Sequence, residues 1–253
     1  MTEMVETEQQ LAVETKKAQE TELLKQSFLT NMSYEIRTPL NTVVGFAELF
    51  EAEHDVADEP IFVEEIKRNS NSLLKLVNDI LYLSRLDAKM IESNKTEVDF
   101  SMIFESHCQM GWSSVSPEVK TIVDNPYERL VVVIDQENLG KVIEKLCANA
   151  VNYTEKGSIR AKYEYRHGEL SISIEDSGVG IDEQTLSHVF ERFARNDHHQ
   201  VCGTGLDMPI AQALVHLMGG SIEMQSEVGK GTTVWLMIPC EAKTIEKRRE
   251  FIV

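Results

Sequence analysis

Residues 27–41 read SFLTNMSYEIRTPLN. From residue 5 to residue 52 the only glycine is Gly45 and the only proline is Pro39. Leu29, Met32, Ile36, Pro39, Val43, Phe46 and Phe50 recur there at steps of three and four, the seam of a helix packed in a bundle. With Leu29 and Ile36 at heptad position a and Met32 at d, Tyr34 falls at f, the most outward position. Thr38 lies one turn later on nearly the same face, with Glu35 beside Tyr34 at g. Pro39 removes the amide that would bond the Glu35 carbonyl, so a bend is expected just below Tyr34. From spacing alone, a solvent-facing surface with an ordinary proline kink is the simpler reading.

Working outward, a polar turn with Pro60 leads to a second seam: Phe62, Ile66, Asn69, Leu73, Leu76, Ile80, Leu83, Asp87 and Met90. Two such helices form a hairpin with an apolar stripe on each arm. A lone hairpin buries little, so a homodimer through residues 27–93, closing a four-helix bundle, is expected. Residues 1–26, polar and helix-favouring, read as a coiled-coil lead-in. Beyond residue 95 the period changes. Strand-like runs appear at 119–124, 129–135, 157–166, 169–176, 220–227 and 231–239, with helical patterns at 136–153, 183–190 and 206–218. That order predicts an α/β sandwich of two layers over residues 94–240, with residues 241–253 as a tail or linker.

The chain has 253 residues, enough for two domains with real cores, and a formal charge of −17. Such a surface repels phosphate backbones and acidic membranes, which argues against nucleic-acid binding but leaves room for a nucleotide held locally by backbone amides and a metal ion. Cys108, Cys147, Cys202 and Cys240 are widely spaced, without a CxxC pair, and suit free thiols in a reducing compartment. No apolar run approaches the roughly 20 residues that span a bilayer. A cytoplasmic location is expected, on its own or as the cytoplasmic part of a membrane sensor.

SFLTNMSYEIRTPLN resembles the H-box of sensor histidine kinases, F-x-x-N-x-S-H-E-I-R-T-P-L, with Tyr34 at the place of the phospho-accepting histidine. The resemblance runs over about residues 15–239 and is carried by three further boxes in order. It implies a dimerisation and phosphotransfer hairpin followed by an ATP-binding domain of the histidine kinase type, shared with gyrase- and chaperone-like ATPases. EDSGVGID, residues 175–182, is similar to the G1 box. There Asp176 would accept from the adenine amino group, while Gly178 and Gly180 would allow close backbone approach. Helix 136–153 resembles the N-box, in which Asn149 would hold Mg²⁺ through its side-chain oxygen. Lys145 replaces that box's earlier asparagine, and Asn152 replaces its phosphate-binding lysine. VFERFAR, residues 189–195, looks like the F-box, with Phe190 and Phe193 anchoring a lid and Arg192 or Arg195 reaching the phosphates. His198 and His199 in the lid read as solvent-exposed, without ligand spacing around them.

CGTGLDM, residues 202–208, resembles the G2 box: Gly203, Thr204 and Gly205 would offer amides to the phosphates, and the helix starting near Leu206 would aim its positive end at them. Asp207 stands at the box's third glycine. If a positive φ is needed there, a side chain costs about 1–2 kcal/mol. A carboxylate roughly 4 Å from a phosphate oxygen adds up to about 4 kcal/mol of repulsion at an effective dielectric near 20. The expectation is therefore ATP or ADP with Mg²⁺, weakened by Asp207 and Asn152.

A phenol, with a pKa near 10, is a poor nucleophile at neutral pH, and its phosphate ester is a poor donor to an aspartate. The resemblance thus implies a histidine kinase core that does not autophosphorylate. The alternative is a natural pseudokinase that docks a response-regulator receiver domain, or dephosphorylates it with Thr38 orienting water. A gyrase- or chaperone-like ATPase of the same nucleotide fold is disfavoured by the hairpin.

Overall fold

The computed structural model describes residues 2–52, 55–193 and 205–247, with side chains from residue 26 onward. Two compact units emerge, Met1–Asn78 and Asp79–Val253. The first contains α1 (Thr2–Glu51) and the start of α2 (Glu59–Asp87). Between them a single 3₁₀ turn, Val56–Asp58, is capped by Asp55, whose carboxylate accepts from the Ala57 amide at 3.0 Å. Pro60 sits in the first turn of α2, where its missing amide proton has no helical partner to lose.

The inward stripe of α1 is Met32, Ile36, Pro39, Val43 and Phe46, each half-buried, and Phe46 meets Phe62 with ring centroids 5.7 Å apart. On α2 the stripe runs from Phe62 to Leu83. The seams are shorter than the sequence spacing implies, because Leu29, Phe50, Asp87 and Met90 are exposed in the single chain. Leu40, Val44, Leu74 and Leu81 are exposed as well, an apolar surface of the kind that dimerising helices carry.

The second unit opens with the last turns of α2 and contains two sheets. A five-stranded sheet has the order β2 (Val119–Asp124), β4 (Gly157–Arg166), β5 (Glu169–Asp176), β7 (Gly231–Pro239), β6 (Ser221–Glu227). Only β2 and β4 run parallel in it. The other sheet is antiparallel, with β1 (Thr96–Asp99), β3 (Tyr127–Ile134) and β8 (Glu241–Lys247). Helices α3 (Phe100–Gly111), α4 (Gln136–Asn152) and α6 (Asp207–Leu217) form the other layer.

The strands explain the layering. Ile159, Ala161 and Tyr163 on β4, and Leu170, Ile172 and Ile174 on β5, alternate onto one buried face. α4 presents Leu139, Val142, Ile143, Leu146 and Ala150 as its buried stripe. Asp135 starts α4 by accepting from the Asn138 amide at 3.0 Å, and its second oxygen takes the Asn94 amide. The Tyr82 hydroxyl of α2 donates to Asn138 Oδ1 at 3.0 Å, fastening the same corner. Cys108 and Cys147 are buried free thiols, and Cys240 is also free.

Four elements depart from the sequence reading. Residues 241–247, expected as tail, form β8 against β3, because alternating Ala242, Thr244 and Glu246 suit a charged edge strand. The helix expected over 183–190 is the four-residue α5, Glu183–Leu186. β1 and α3 were not anticipated.

Candidate nucleotide pocket and acceptor helix

A cavity in the second unit lies beside the end of β5, and its walls include Leu146, Asn149, Ala150, Ile174, Asp176 and Gly180. Asp176 is the last residue of β5 and pairs in register with Thr232. Its Oδ1 accepts from the Gly178 amide at 2.9 Å and from the Thr232 amide at 3.2 Å. Both bonds use Oδ1, so the carboxylate is held from one side and Oδ2 remains as an acceptor. Burial raises the Asp176 pKa above the usual 3.8, and the two amide bonds only partly counter that.

The two G1 glycines do different work. Gly180 has φ +70°, and a Cβ there would come within 2.1 Å of the Glu227 carbonyl oxygen. Gly178 needs no such torsion; a Cβ there would meet the Tyr153 carbonyl oxygen at 2.1 Å. A side chain at either position forces the turn away from α4 or from β6.

Lys145 and Asn149, one turn apart on α4, give the cavity's other end its character. Asn149 lines the cavity. The Lys145 ammonium donates to Asp207 Oδ1 at 2.7 Å and to Asp79 Oδ1 at 3.1 Å. All three side chains are largely buried, at 19% exposure for Lys145 and 12% for each acid. Burial by itself would lower the lysine pKa, but the charges and hydrogen bonds of Asp207 and Asp79 outweigh it and hold it above 10.5.

Asp207 therefore does not stand as a bare carboxylate in the cavity. Nor is its backbone at positive φ; the torsional penalty considered for this position does not arise. Asp207 opens α6, where the helix dipole favours an anion. Lys145 and Asp207, each read from the sequence as a departure from the expected boxes, are partners.

Of the remaining expected phosphate ligands, Asn152 is exposed and Leu206 is fully buried. Gly205 lines the cavity at φ +66°, and its carbonyl accepts from the Phe193 amide at 3.0 Å. Arg192 directs its guanidinium to Asp87 near the end of α2, 2.6 and 2.8 Å from the two carboxylate oxygens. Arg195, His198, His199, Cys202, Gly203 and Thr204 lie outside the described residues. Sequence reasoning missed Thr185, Met208, Met224 and Thr232, which also line the cavity. Thr232 had a signal in the GTT that starts the last core strand, but its tie to Asp176 needs the β5–β7 register.

A Mg²⁺ ion would seek several oxygens in octahedral array. Among the described residues no group of three or more acidic, histidine or cysteine side chains could hold a metal ion. Asn149 is within reach, but Asp207 is occupied by Lys145. Among the described residues, Asn149 thus stands without a free carboxylate beside it, because Asp207 is bound by Lys145, and this is a poor fit for Mg²⁺.

In the first unit, Tyr34 is 67% exposed on α1. Thr38 is also exposed, and its hydroxyl donates to the Tyr34 carbonyl at 3.3 Å. Thr42 does the same to Thr38 at 3.1 Å, and α1 runs unbroken through Pro39. Glu35 is half-buried. No helix among the described residues is long and apolar enough to cross a membrane.

Comparison with known proteins places both units. Residues 24–89 match the His Kinase A (phospho-acceptor) domain, and residues 134–242 match the histidine kinase-, DNA gyrase B- and HSP90-like ATPase domain. The chain is 33% identical over 246 residues to the signal transduction histidine-protein kinase BarA of Escherichia coli, covering 90% of this chain and 26% of that one. It is 29% identical over 265 residues to the autoinducer 2 sensor kinase/phosphatase LuxQ of Vibrio vulnificus, covering 98% of this chain and 30% of that one. The chain thus spans under a third of the length of these curated relatives. Among solved structures, full-length ShkA in complex with AMPPNP aligns with TM-score 0.61 at 26% identity, over 88% of this chain and 46% of that one. The Acinetobacter baumannii histidine kinase AdeS aligns with TM-score 0.66 at 20% identity, over 81% of this chain and 97% of that one, a likeness of fold. With a phospho-acceptor helical hairpin followed by this α/β sandwich, the chain belongs to the two-component sensor histidine kinase family.

Proposed function

We propose that this chain is a homodimeric transmitter that binds an adenine nucleotide and docks a response-regulator receiver domain, without forming a phosphohistidine. The observation that carries the reading is the exposed phenol of Tyr34 at the outward heptad position, at the acceptor place of the H-box pattern. A phenol lacks the neutral ring nitrogen that attacks a γ-phosphate, and its ester would not pass readily to an aspartate. ATP or ADP is the ligand the pocket supports best. Asp176 Oδ2 can accept the adenine amino group, the apolar walls suit a base, and the match to the ATPase domain points the same way. The AMPPNP bound by ShkA supports the same ligand class. The face around Tyr34 and Thr38 is open to a partner, and the exposed apolar residues of the two helices support the homodimer.

Incubating the intact chain with γ-labelled ATP tests the reading. No label is expected on the protein, in acid or in base. Acid-stable label mapped to Tyr34 would overturn it by making the tyrosine a competent acceptor.

A further inference from the structure

The nucleotide pocket is unevenly built. At the end near β5, Asp176 is held by two backbone amides and surrounded by apolar wall. At the α6 end, the carboxylate of Asp207 already occupies the first turn of the helix, the place where a phosphate would profit from the dipole. That carboxylate is in turn held by the Lys145 ammonium, which also holds Asp79. No cavity-lining residue among those described is a lysine or arginine, while Asp176 and Asp207 both line it. The three charges of the Lys145 cluster sum to −1, so among the described residues the α6 end repels a phosphate chain, while the two carboxylates that could draw in a cation are already bound to the ammonium.

We propose, on the basis of the nucleotide-binding reading above, that this pocket takes adenine nucleosides and nucleotides through the base alone, independently of divalent cations, with Lys145 and Asp207 closing the phosphate–metal end upon each other. The buried pair replaces a cation that would come and go with the ligand by one that is fixed in the fold. Phosphates then extend toward solvent and contribute little, so adenosine binds about as well as ADP. ATP gains nothing from its third phosphate.

Isothermal titration calorimetry of the intact chain with adenosine, ADP and ATP, each in Mg²⁺ and in EDTA, tests this. The expected Kd values for adenosine and ADP agree within about threefold, and Mg²⁺ shifts each by less than about threefold, since no metal contact is made. ADP or ATP binding that tightens tenfold or more with Mg²⁺ would overturn the proposal while leaving nucleotide binding intact. Failure of all three ligands to bind would overturn the nucleotide reading along with it. In the variant Asp79→Asn/Lys145→Asn/Asp207→Gly, which removes all three buried charges together, ADP is expected to gain at least tenfold from Mg²⁺. If that variant folds with a wild-type-like cooperative transition yet stays indifferent to the metal, the Lys145–Asp207 pair is not the cause and the assignment falls.

Discussion

Replacing Lys145 by methionine is expected to destabilise the second unit by about 3–5 kcal/mol, the usual consequence of removing one partner from a buried ion pair. Methionine keeps the length and the apolar stem, so packing changes little. What it leaves behind is two carboxylates, Asp79 and Asp207, each 8% exposed and no longer separated by a cation. Asp79 is already short of partners: its Oδ2 is buried without a hydrogen bond among the described residues. Asp207→Asn should cost less, about 1–3 kcal/mol, because Lys145 then still neutralises Asp79. Urea unfolding followed by tryptophan fluorescence reads this unit selectively, since Trp112 and Trp235 are the only tryptophans and both belong to it.

The pH dependence has a definite sign. The folded-state pKa of Lys145 lies above 10.5, so its stabilisation is complete below pH 10.5 and fades only as pH rises through the folded value. The gap between wild type and Lys145→Met should therefore be flat across neutral pH. A loss near zero at pH 7 would show that the pair is solvated and that the pocket end is open.

Asp176→Asn is expected to weaken adenine-nucleotide binding by roughly 10- to 100-fold, the equivalent of losing a charge-assisted hydrogen bond, and to leave the fold no less stable. Asparagine Oδ1 can still accept from the Gly178 and Thr232 amides. Its amide group then stands where Oδ2 accepted, donor facing donor against the adenine amino group. Stability moves the other way. Burial raises the Asp176 pKa above 3.8, so the group favours folding below pH 3.8 and loses that contribution as pH rises through its folded value. At pH 7 its ionised form is a burden that asparagine lacks, and the variant's urea midpoint should equal or exceed wild type. Calorimetry with ADP and a urea titration on the same preparation check both halves. An unchanged Kd would remove Asp176 from base recognition.

Much of the architecture was legible from periodicity. The seams of α1 and α2 repeat at three and four, and β2 to β7 stand out as strand-like runs separated by turns or helical patterns. β8 was hidden because EAKTIEK carries charge at the positions that an edge strand leaves in solvent, so its alternation reads as polarity. α3 was hidden for a different reason. Its buried Phe100, Phe104 and Cys108 recur at a helical step but over only three turns, directly after a short strand.

The pocket was legible where its ligands are local: Asp176, Gly178 and Gly180 lie within one turn. The Lys145–Asp207 pair was not, since 62 residues separate its members and each alone reads as a lost family residue. Only the packing of α4 beside α6 turns two apparent defects into one interaction. The same holds for Arg192, whose partner Asp87 is 105 residues away.

The most direct test is to put a histidine at the acceptor position and ask whether it is phosphorylated. Tyr34→His, incubated with γ-labelled ATP and Mg²⁺ beside a wild-type control, is expected to remain unlabelled, because among the described residues the pocket is lined by no lysine or arginine and its Asp207 is already bound to Lys145. Acid-labile, base-stable label on that variant would show intact transfer machinery missing only its acceptor, and would contradict the closed phosphate–metal end inferred from Lys145 and Asp207.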